Sequence, residues 1–132
     1  MLYGIYINDD HYPFTLWILR GLKVFETRNR NMLGKLLGHR VAIISTSRKR
    51  KPLIVGYATI TEARHVTRED FEIYRGPCMI EKSSKYDCTD RGKWLYRMSN
   101  VEKCKPQPLP GSAIKHGRSY CELPGYYRIE EA

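Results

Sequence analysis

The 132-residue sequence lacks the features that mark membrane and secreted proteins. It contains no apolar run of the roughly 18 residues that a membrane-spanning helix needs. Residues 1–7 have no basic segment ahead of an apolar stretch, so they do not resemble a signal peptide. We therefore expect a cytoplasmic protein that has no membrane partner.

Paired cysteines are also missing. The four cysteines, Cys78, Cys88, Cys104 and Cys121, include no C-x-x-C pair. Without a secretion signal, free thiols are the usual state of such residues. A zinc site built from Cys88, Cys104 and His116 is an alternative, but its spacing matches no known ligand pattern. We expect neither a metal ion nor any other cofactor.

The common catalytic motifs are absent as well. The sequence has no Walker A loop, no H-E-x-x-H motif and no G-x-S-x-G motif. It also has no acidic cluster of the kind that holds two metal ions in nucleases. Any catalysis by this chain is therefore predicted to be metal-free.

What the sequence has in excess is positive charge and tyrosine. Its formal net charge is +9, and its ten tyrosines compare with three phenylalanines and two tryptophans. A positive field of this size favours phosphate-bearing partners. Tyrosine rings suit half-buried strands and can also stack on bases. Composition alone does not choose between RNA, DNA and free nucleotides.

Hydrophobic periodicity predicts one domain, spanning residues 1–132, that mixes strands with short helices. Strands are predicted at residues 2–7, 23–28, 41–46, 53–61, 94–101 and 118–123, with a further one at 126–129. Helices are predicted at 13–20, opened by Pro13 and ended by Gly21, and at 68–74, with Thr67 as the N-cap. Residues 76–92 are predicted to be irregular, and residues 104–111 to be a proline-rich connector. About five to seven strands with two or three short helices and no βαβ alternation indicate an α+β fold built on a mixed β-barrel.

A run of four basic residues occupies the predicted hairpin tip between two strands: Arg48, Lys49, Arg50 and Lys51. Adjacent cations repel one another, and a polyanionic partner would relieve that cost by counterion release. A solvated loop that aids solubility is the alternative. We predict that the hairpin contacts phosphates. Five other basic side chains could widen this surface: Arg64, His65, Arg68, Arg75 and Arg118.

Residues 21–28, GLKVFETR, have the form G-x-K-x-x-E-x-R and follow a short helix opened by proline. This segment resembles the motif of the ASCH family, a branch of the PUA-like superfamily. The strand at 41–46 follows at the expected distance, and residues 53–61 (LIVGYATIT) resemble the family's strand that carries a glycine and small residues. Residues 94–101, with the prolines that follow, resemble its late strand and connector. The resemblance covers nearly the whole chain.

The resemblance implies a compact PUA-like barrel flanked by helices, with Lys23, Glu26 and Arg28 on the floor of a cleft. Most family members are thought to bind RNA, so we expect the partner to be RNA, another single-stranded nucleic acid or a modified nucleotide. One bacterial branch hydrolyses the amide of cytidines acylated on the exocyclic amine, and nuclease activity has been proposed for another. A small metal-free hydrolase acting on acylated cytidine or on RNA is therefore the alternative function.

The motif residues have clear chemical uses. Lys23 could hold a phosphate or a carbonyl oxygen, or act as a base if burial lowered its pKa. A solvated lysine after the end of a helix is the alternative. Glu26 and Arg28 lie about 7 Å apart along one strand face. They can pair with each other, or Glu26 can accept from an exocyclic amine while Arg28 holds a phosphate or base edge.

The motif departs from that of the amidohydrolase branch, which has a threonine where this chain has Glu26. Thr27 comes one residue later and is predicted to face the other way, so a lysine-activated threonine cannot be carried over. Catalysis by Glu26 as a general base for water, with Lys23 stabilising the oxyanion, is another arrangement. Arg97 and Ser99, on the late strand, are further cleft candidates by their position in the resembled fold.

Overall fold

The computed structural model describes residues 2–124. Its elements are β1 (Leu2–Asn8), α1 (Phe14–Leu19), β2 (Phe25–Arg28), a 3-10 helix (Gly34–Leu36), β3 (Arg40–Ser47), β4 (Arg50–Val66), α2 (Arg68–Cys78), β5 (Lys93–Pro108), β6 (Ile114–His116) and β7 (Tyr120–Leu123). The strands form one seven-stranded sheet in the order β2-β5-β4-β3-β1-β7-β6. The α+β class and the mixed sheet are confirmed. Within residues 2–124, the edge strands β2 and β6 do not pair, so backbone hydrogen bonds do not close a barrel. The strand predicted at 126–129 lies outside the described residues.

The centre of the sheet is buried on both faces. β1 and β3 pair in parallel, and β3 then pairs antiparallel with β4. Val41 and Ile43 of β3 pack into a large core, whereas Ala42 and Ile44 pack into a second, smaller core. These four consecutive apolar residues show no alternation because a strand covered on both sides needs apolar residues at every position.

β4 and β5 are far longer than the sequence predicts, with 17 and 16 residues. The predicted connector at 104–111 is wrong for its first half, since β5 runs through Pro106 to Pro108. Proline is tolerated in a strand that has a free edge. Here β2 pairs only with residues 94–97 of β5, so the later part of β5 has β4 alone as its neighbour.

The two helices position the site. α1 ends before Gly21, which adopts the left-handed conformation (φ 76°) expected of a helix stop. The predicted cap of α2 is confirmed, because Thr67 Oγ1 accepts a hydrogen bond from Asp70 N at 3.2 Å. α2 continues past the predicted end at 74 and stops where Met79 turns left-handed (φ 55°). Neither helix of the described part is long and apolar enough to cross a membrane.

Candidate functional site

An open cleft of about 820 Å³ lies where the two ends of the sheet approach each other. Arg28 of β2 and the β6–β7 residues Lys115 and Arg118 all line it, although β2 and β6 are at opposite ends of the strand order. Arg28 Nη2 donates to Tyr6 O in β1 at 2.6 Å. The sheet therefore curls into a barrel-like shape, with a side-chain bridge where a closed barrel would have backbone pairing.

Lys23 lies at the inner end of this cleft and is only 1% exposed. It precedes β2 instead of opening the strand, which corrects the predicted start at 23. Its Nζ donates to Cys78 O at 2.5 Å and lies 4.6 Å from the centre of the Phe14 ring. Carbonyls in the last turn of a helix have no intrahelical partners, and the helix dipole favours a cation there. The C-terminus of α2 therefore holds the ammonium group.

Lys93, the first residue of β5, is a second buried lysine in the cleft, and sequence reasoning missed it. It is 3% exposed, and its Nζ donates to Asn29 Oδ1 at 2.9 Å. Burial lowers the pKa of Lys93, as it does that of Lys23, because desolvation disfavours the charged form. A lysine beside Trp94 at the start of a strand gives no signal of burial, so only the fold reveals it.

The buried Glu26 and the half-buried Arg28 form an ion pair. Arg28 donates from Nε at 3.2 Å and from Nη2 at 3.0 Å, and both bonds end on Glu26 Oε2. The side chain of Glu26 is only 8% exposed, and that of Arg28 is 13% exposed. The spacing allows either a mutual ion pair or two separate ligand contacts, and the structure contains the ion pair. Both residues still border the cleft. Thr27, which lies between them in β2, borders it as well.

The cleft carries more positive than negative charge. Three of its cations have little exposure, the buried Lys23 and Lys93 and the half-buried Arg28, and they face the buried carboxylate of Glu26. Exposed cations stand around the opening: Arg30, Lys85, Lys115 and Arg118. An anion entering this space would stabilise the charged forms of the lysines, which burial disfavours.

Lys85 and Tyr86 line one side of the cleft, and both lie in the second half of the segment 76–92, which is predicted to be irregular. Tyr86 packs edge-on against Phe14, with ring centres 5.1 Å apart, and both residues line the cleft. The segment is held by Asp87, which forms an ion pair with Arg75 at 2.9 Å and accepts from Ser83 N at 2.7 Å. Tyr86 lines the cleft, whereas four other aromatic residues do not: Tyr57, Tyr74, Trp94 and Tyr96.

The basic hairpin stands at the edge of the cleft. Arg48, Lys49, Arg50 and Lys51 are exposed and lie outside the lining, but Thr46 and Pro52, which flank them, are part of it. Arg48 Nε lies 3.6 Å from Asp10 Oδ2, and Arg50 Nη2 donates to Ser45 Oγ at 2.5 Å. The two arginines therefore have partners in the fold, and the two lysines extend into solvent.

Arg97 and Ser99 lie away from the cleft, which corrects their expected position. The β2–β5 register pairs Phe25 with Arg97, so Arg97 shares the face of Phe25 and not that of Glu26. Its guanidinium lies 4.8 Å from the centre of the Phe25 ring and 3.4 Å from Glu62. Ser99 Oγ lies 2.7 Å from Thr61 Oγ1.

Of the five other basic residues predicted to widen the hairpin surface, one lines the cleft and four do not. Arg118 lines the cleft, whereas the others have partners elsewhere: Arg64 with Glu62, Arg68 with Asp90, Arg75 with Glu72 and Asp87, and His65 with Arg91 O. Of these five residues, only Arg118 adds to the charge of the candidate site.

The cysteines are buried thiols. Burial raises the pKa of Cys78 to about 12, so this thiol is protonated at neutral pH. Cys88 and Cys104 belong to different core clusters, which separates two members of the zinc site considered above. Among the residues described, no three His, Cys, Asp or Glu side chains are grouped so that they could hold a metal ion.

The curled mixed sheet with its two helices is similar in fold to crystal structures of ASCH proteins. The crystal structure of ASCH from Zymomonas mobilis matches with a TM-score of 0.65 and 18% identity, over 80% of this chain and 73% of that chain. A serine-to-alanine variant of the Zymomonas mobilis protein matches with a TM-score of 0.69 and 16% identity, over 92% and 89% of the two chains.

At this level of identity the match establishes the fold, and it confirms the fold that the family resemblance implied. No protein-family model matches the sequence, and no curated protein matches it either.

Proposed function

We propose that the chain binds RNA or a modified nucleotide, with one unstacked nucleotide entering the cleft. The observation that carries this proposal is the excess of buried positive charge formed by Lys23 and Lys93 beside the Glu26–Arg28 pair. Buried charges are costly unless they are compensated. A phosphate-bearing ligand would compensate them, and it would favour their protonated forms.

Three further features support a nucleic-acid ligand. A volume of about 820 Å³ falls within the range of small-ligand sites and suits one nucleotide. Tyr86 on the wall offers a ring for a base or sugar. Lys49 and Lys51, beside the cleft, can follow the backbone of a longer strand. The resemblance to ASCH domains, most of which are thought to bind RNA, agrees with this reading.

The first test incubates a labelled single-stranded RNA of about 16 nucleotides with the protein in EDTA. The sample is then divided between a native and a denaturing gel. We expect a native shift with intact RNA for the wild type and for Lys35→Ala, an exposed lysine outside the cleft. The shift should be weaker for Lys23→Ala. The absence of a shift at low salt for the wild type would contradict the proposal.

A second function, a metal-free hydrolase, has one observation in its favour. The pKa of Lys23 is lowered by burial, and this lysine shares the cleft with Glu26. A lysine whose pKa is lowered gives up its proton more readily, which favours a role in acid–base catalysis. Shortened RNA on the denaturing gel, lost in both Lys23→Ala and Glu26→Ala, would identify a ribonuclease. Cleavage that survives both changes would remove these residues from the mechanism.

A further inference from the structure

The two buried lysines of the cleft retain hydrogen-bonding capacity. An ammonium group has three donors. Within residues 2–124, Lys23 Nζ makes one hydrogen bond, to Cys78 O, and Lys93 Nζ makes one, to Asn29 Oδ1. Both side chains are less than 4% exposed and border the same cleft. A ligand that reaches them meets several donors in a confined space.

The acceptors that adjoin the lysines are already bonded in part, since Asn29 Oδ1 accepts from Lys93 Nζ. Glu26 is the buried carboxylate of the cleft, and its Oε2 already receives two bonds from Arg28. A nucleobase edge presents donors as well as acceptors, so it needs acceptors on the protein. A phosphate group presents acceptors alone. The donor-rich lysine pair therefore suits a phosphate better than a base.

The charge balance separates two kinds of phosphate. Lys23, Lys93 and Arg28 against Glu26 leave two positive charges when both lysines are protonated. An internal phosphodiester of a nucleic acid brings one negative charge. A terminal phosphomonoester brings nearly two at neutral pH, because its second pKa is about 6. The terminal group matches the lysine pair in charge.

We propose that Lys23 and Lys93 form a subsite for a terminal phosphomonoester, either the phosphorylated end of an RNA strand or a free nucleoside monophosphate. This inference rests on the proposed binding of RNA or nucleotides. The terminal phosphate binds to the two ammonium groups, and the attached nucleoside lies along the side of the cleft that contains Tyr86. Lys93 is outside the motif at residues 21–28 and becomes a ligand-binding residue through the fold.

The experiment compares ligands that differ only in their ends. Fluorescence anisotropy measures the affinity for one RNA sequence with a 5′-phosphate, with a 3′-phosphate and with hydroxyl groups at both ends. Direct titration calorimetry with cytidine, cytidine monophosphate and inorganic phosphate completes the set. We expect one phosphorylated end to bind about tenfold or more tightly than the hydroxyl-ended strand. Lys93→Met and Lys23→Met should remove this preference, and Lys35→Met should keep it.

The outcomes separate the subsite from the general function. If hydroxyl-ended and end-phosphorylated strands bind equally well, the subsite is wrong and the proposed RNA binding stands. If no RNA binds but cytidine monophosphate binds at least tenfold better than cytidine, the subsite stands with a free nucleotide as its ligand. Binding of neither would overturn both. These comparisons use the wild-type protein, so they hold even if a lysine variant fails to fold.

Discussion

A charged side chain in the interior is the most informative single residue of this molecule. Lys23 is almost fully buried, and its ammonium group contacts the Cys78 carbonyl and the Phe14 ring. Neither contact carries a full negative charge. Glu26, the buried carboxylate of the cleft, is instead bonded to Arg28. A lysine in this position costs folding free energy, which is expected of a residue that serves a ligand.

Replacing Lys23 by methionine should therefore leave the folded protein at least as stable as the wild type. The methionine fills a similar volume without the desolvation cost, so we expect a gain of about 1 kcal/mol or more in the free energy of unfolding at neutral pH. Urea denaturation followed by circular dichroism measures it. A loss of more than about 2 kcal/mol would show that the hydrogen bond to Cys78 O outweighs desolvation.

The same variant tests the direction of the pKa shift. The groups acting on Lys23 are Glu26, Cys78, Lys93 and Arg28, but desolvation dominates and lowers its pKa in the folded state. Between that pKa and the ordinary lysine value, the unfolded chain binds more protons, so wild-type stability rises with pH. Lys23→Met should show a shallower rise across this range. An identical pH dependence would contradict the lowered pKa.

At the scale of elements, the basic hairpin is fixed by the loop that follows β1. Asp10 accepts hydrogen bonds from Ser47 Oγ at 2.8 Å and from Arg48 N at 3.0 Å. The bond from Ser47 is the main reason that the pKa of Asp10 lies below its usual value. These contacts hold the base of the hairpin, so that Lys49 and Lys51 extend from a fixed position beside the cleft.

The hairpin lysines should determine part of the salt dependence of RNA binding. Each phosphate contact on a single strand contributes about 0.7 to the slope of log affinity against log salt concentration. The double variant Lys49→Ala and Lys51→Ala should therefore flatten the slope by about 1.4. A salt titration by anisotropy measures this. Lys35→Ala with Lys103→Ala removes the same charge from exposed positions elsewhere, and an equal effect there would contradict specific contacts at the hairpin.

At the scale of the whole molecule, one side chain links the two ends of the sheet. Arg28 of β2 donates to the backbone of β1 through Tyr6 O, although three strands lie between β2 and β1 in the sheet. The same guanidinium neutralises Glu26, which is 6% exposed. Arg28 therefore supports the barrel-like curvature and the electrostatics of the cleft together.

Removing Arg28 should destabilise the whole domain. Arg28→Met leaves the Glu26 carboxylate buried without its partner, which costs about 3 to 5 kcal/mol. Adding Glu26→Gln removes that charge, so the double variant should recover part of the loss. Chemical denaturation of the wild type, both single variants and the double variant forms the cycle. A cost below about 1 kcal/mol for Arg28→Met would show that the pair is not a structural bridge.

Much of this architecture is determined by the sequence itself, because the controlling interactions are local. Gly21 and Thr67 mark a helix end and a helix start through backbone conformation and capping. The apolar runs of β3 and β4 identify central strands. The motif at residues 21–28 places Lys23, Glu26 and Arg28 together, and the spacing of Glu26 and Arg28 already allows the ion pair that the structure contains.

The tertiary structure alone decides the rest, because those features depend on contacts between distant residues. The pairing of β5 with its neighbours places Lys93 in the lining of the cleft and Arg97 outside it. Lys23 is buried because the end of α2, 55 residues later, supplies its carbonyl partner. Hydrophobic periodicity and helix capping depend on residues that are close together in the sequence, so they can be recognised without the tertiary structure. Burial and excess charge arise only when the curled sheet brings its two ends around one space.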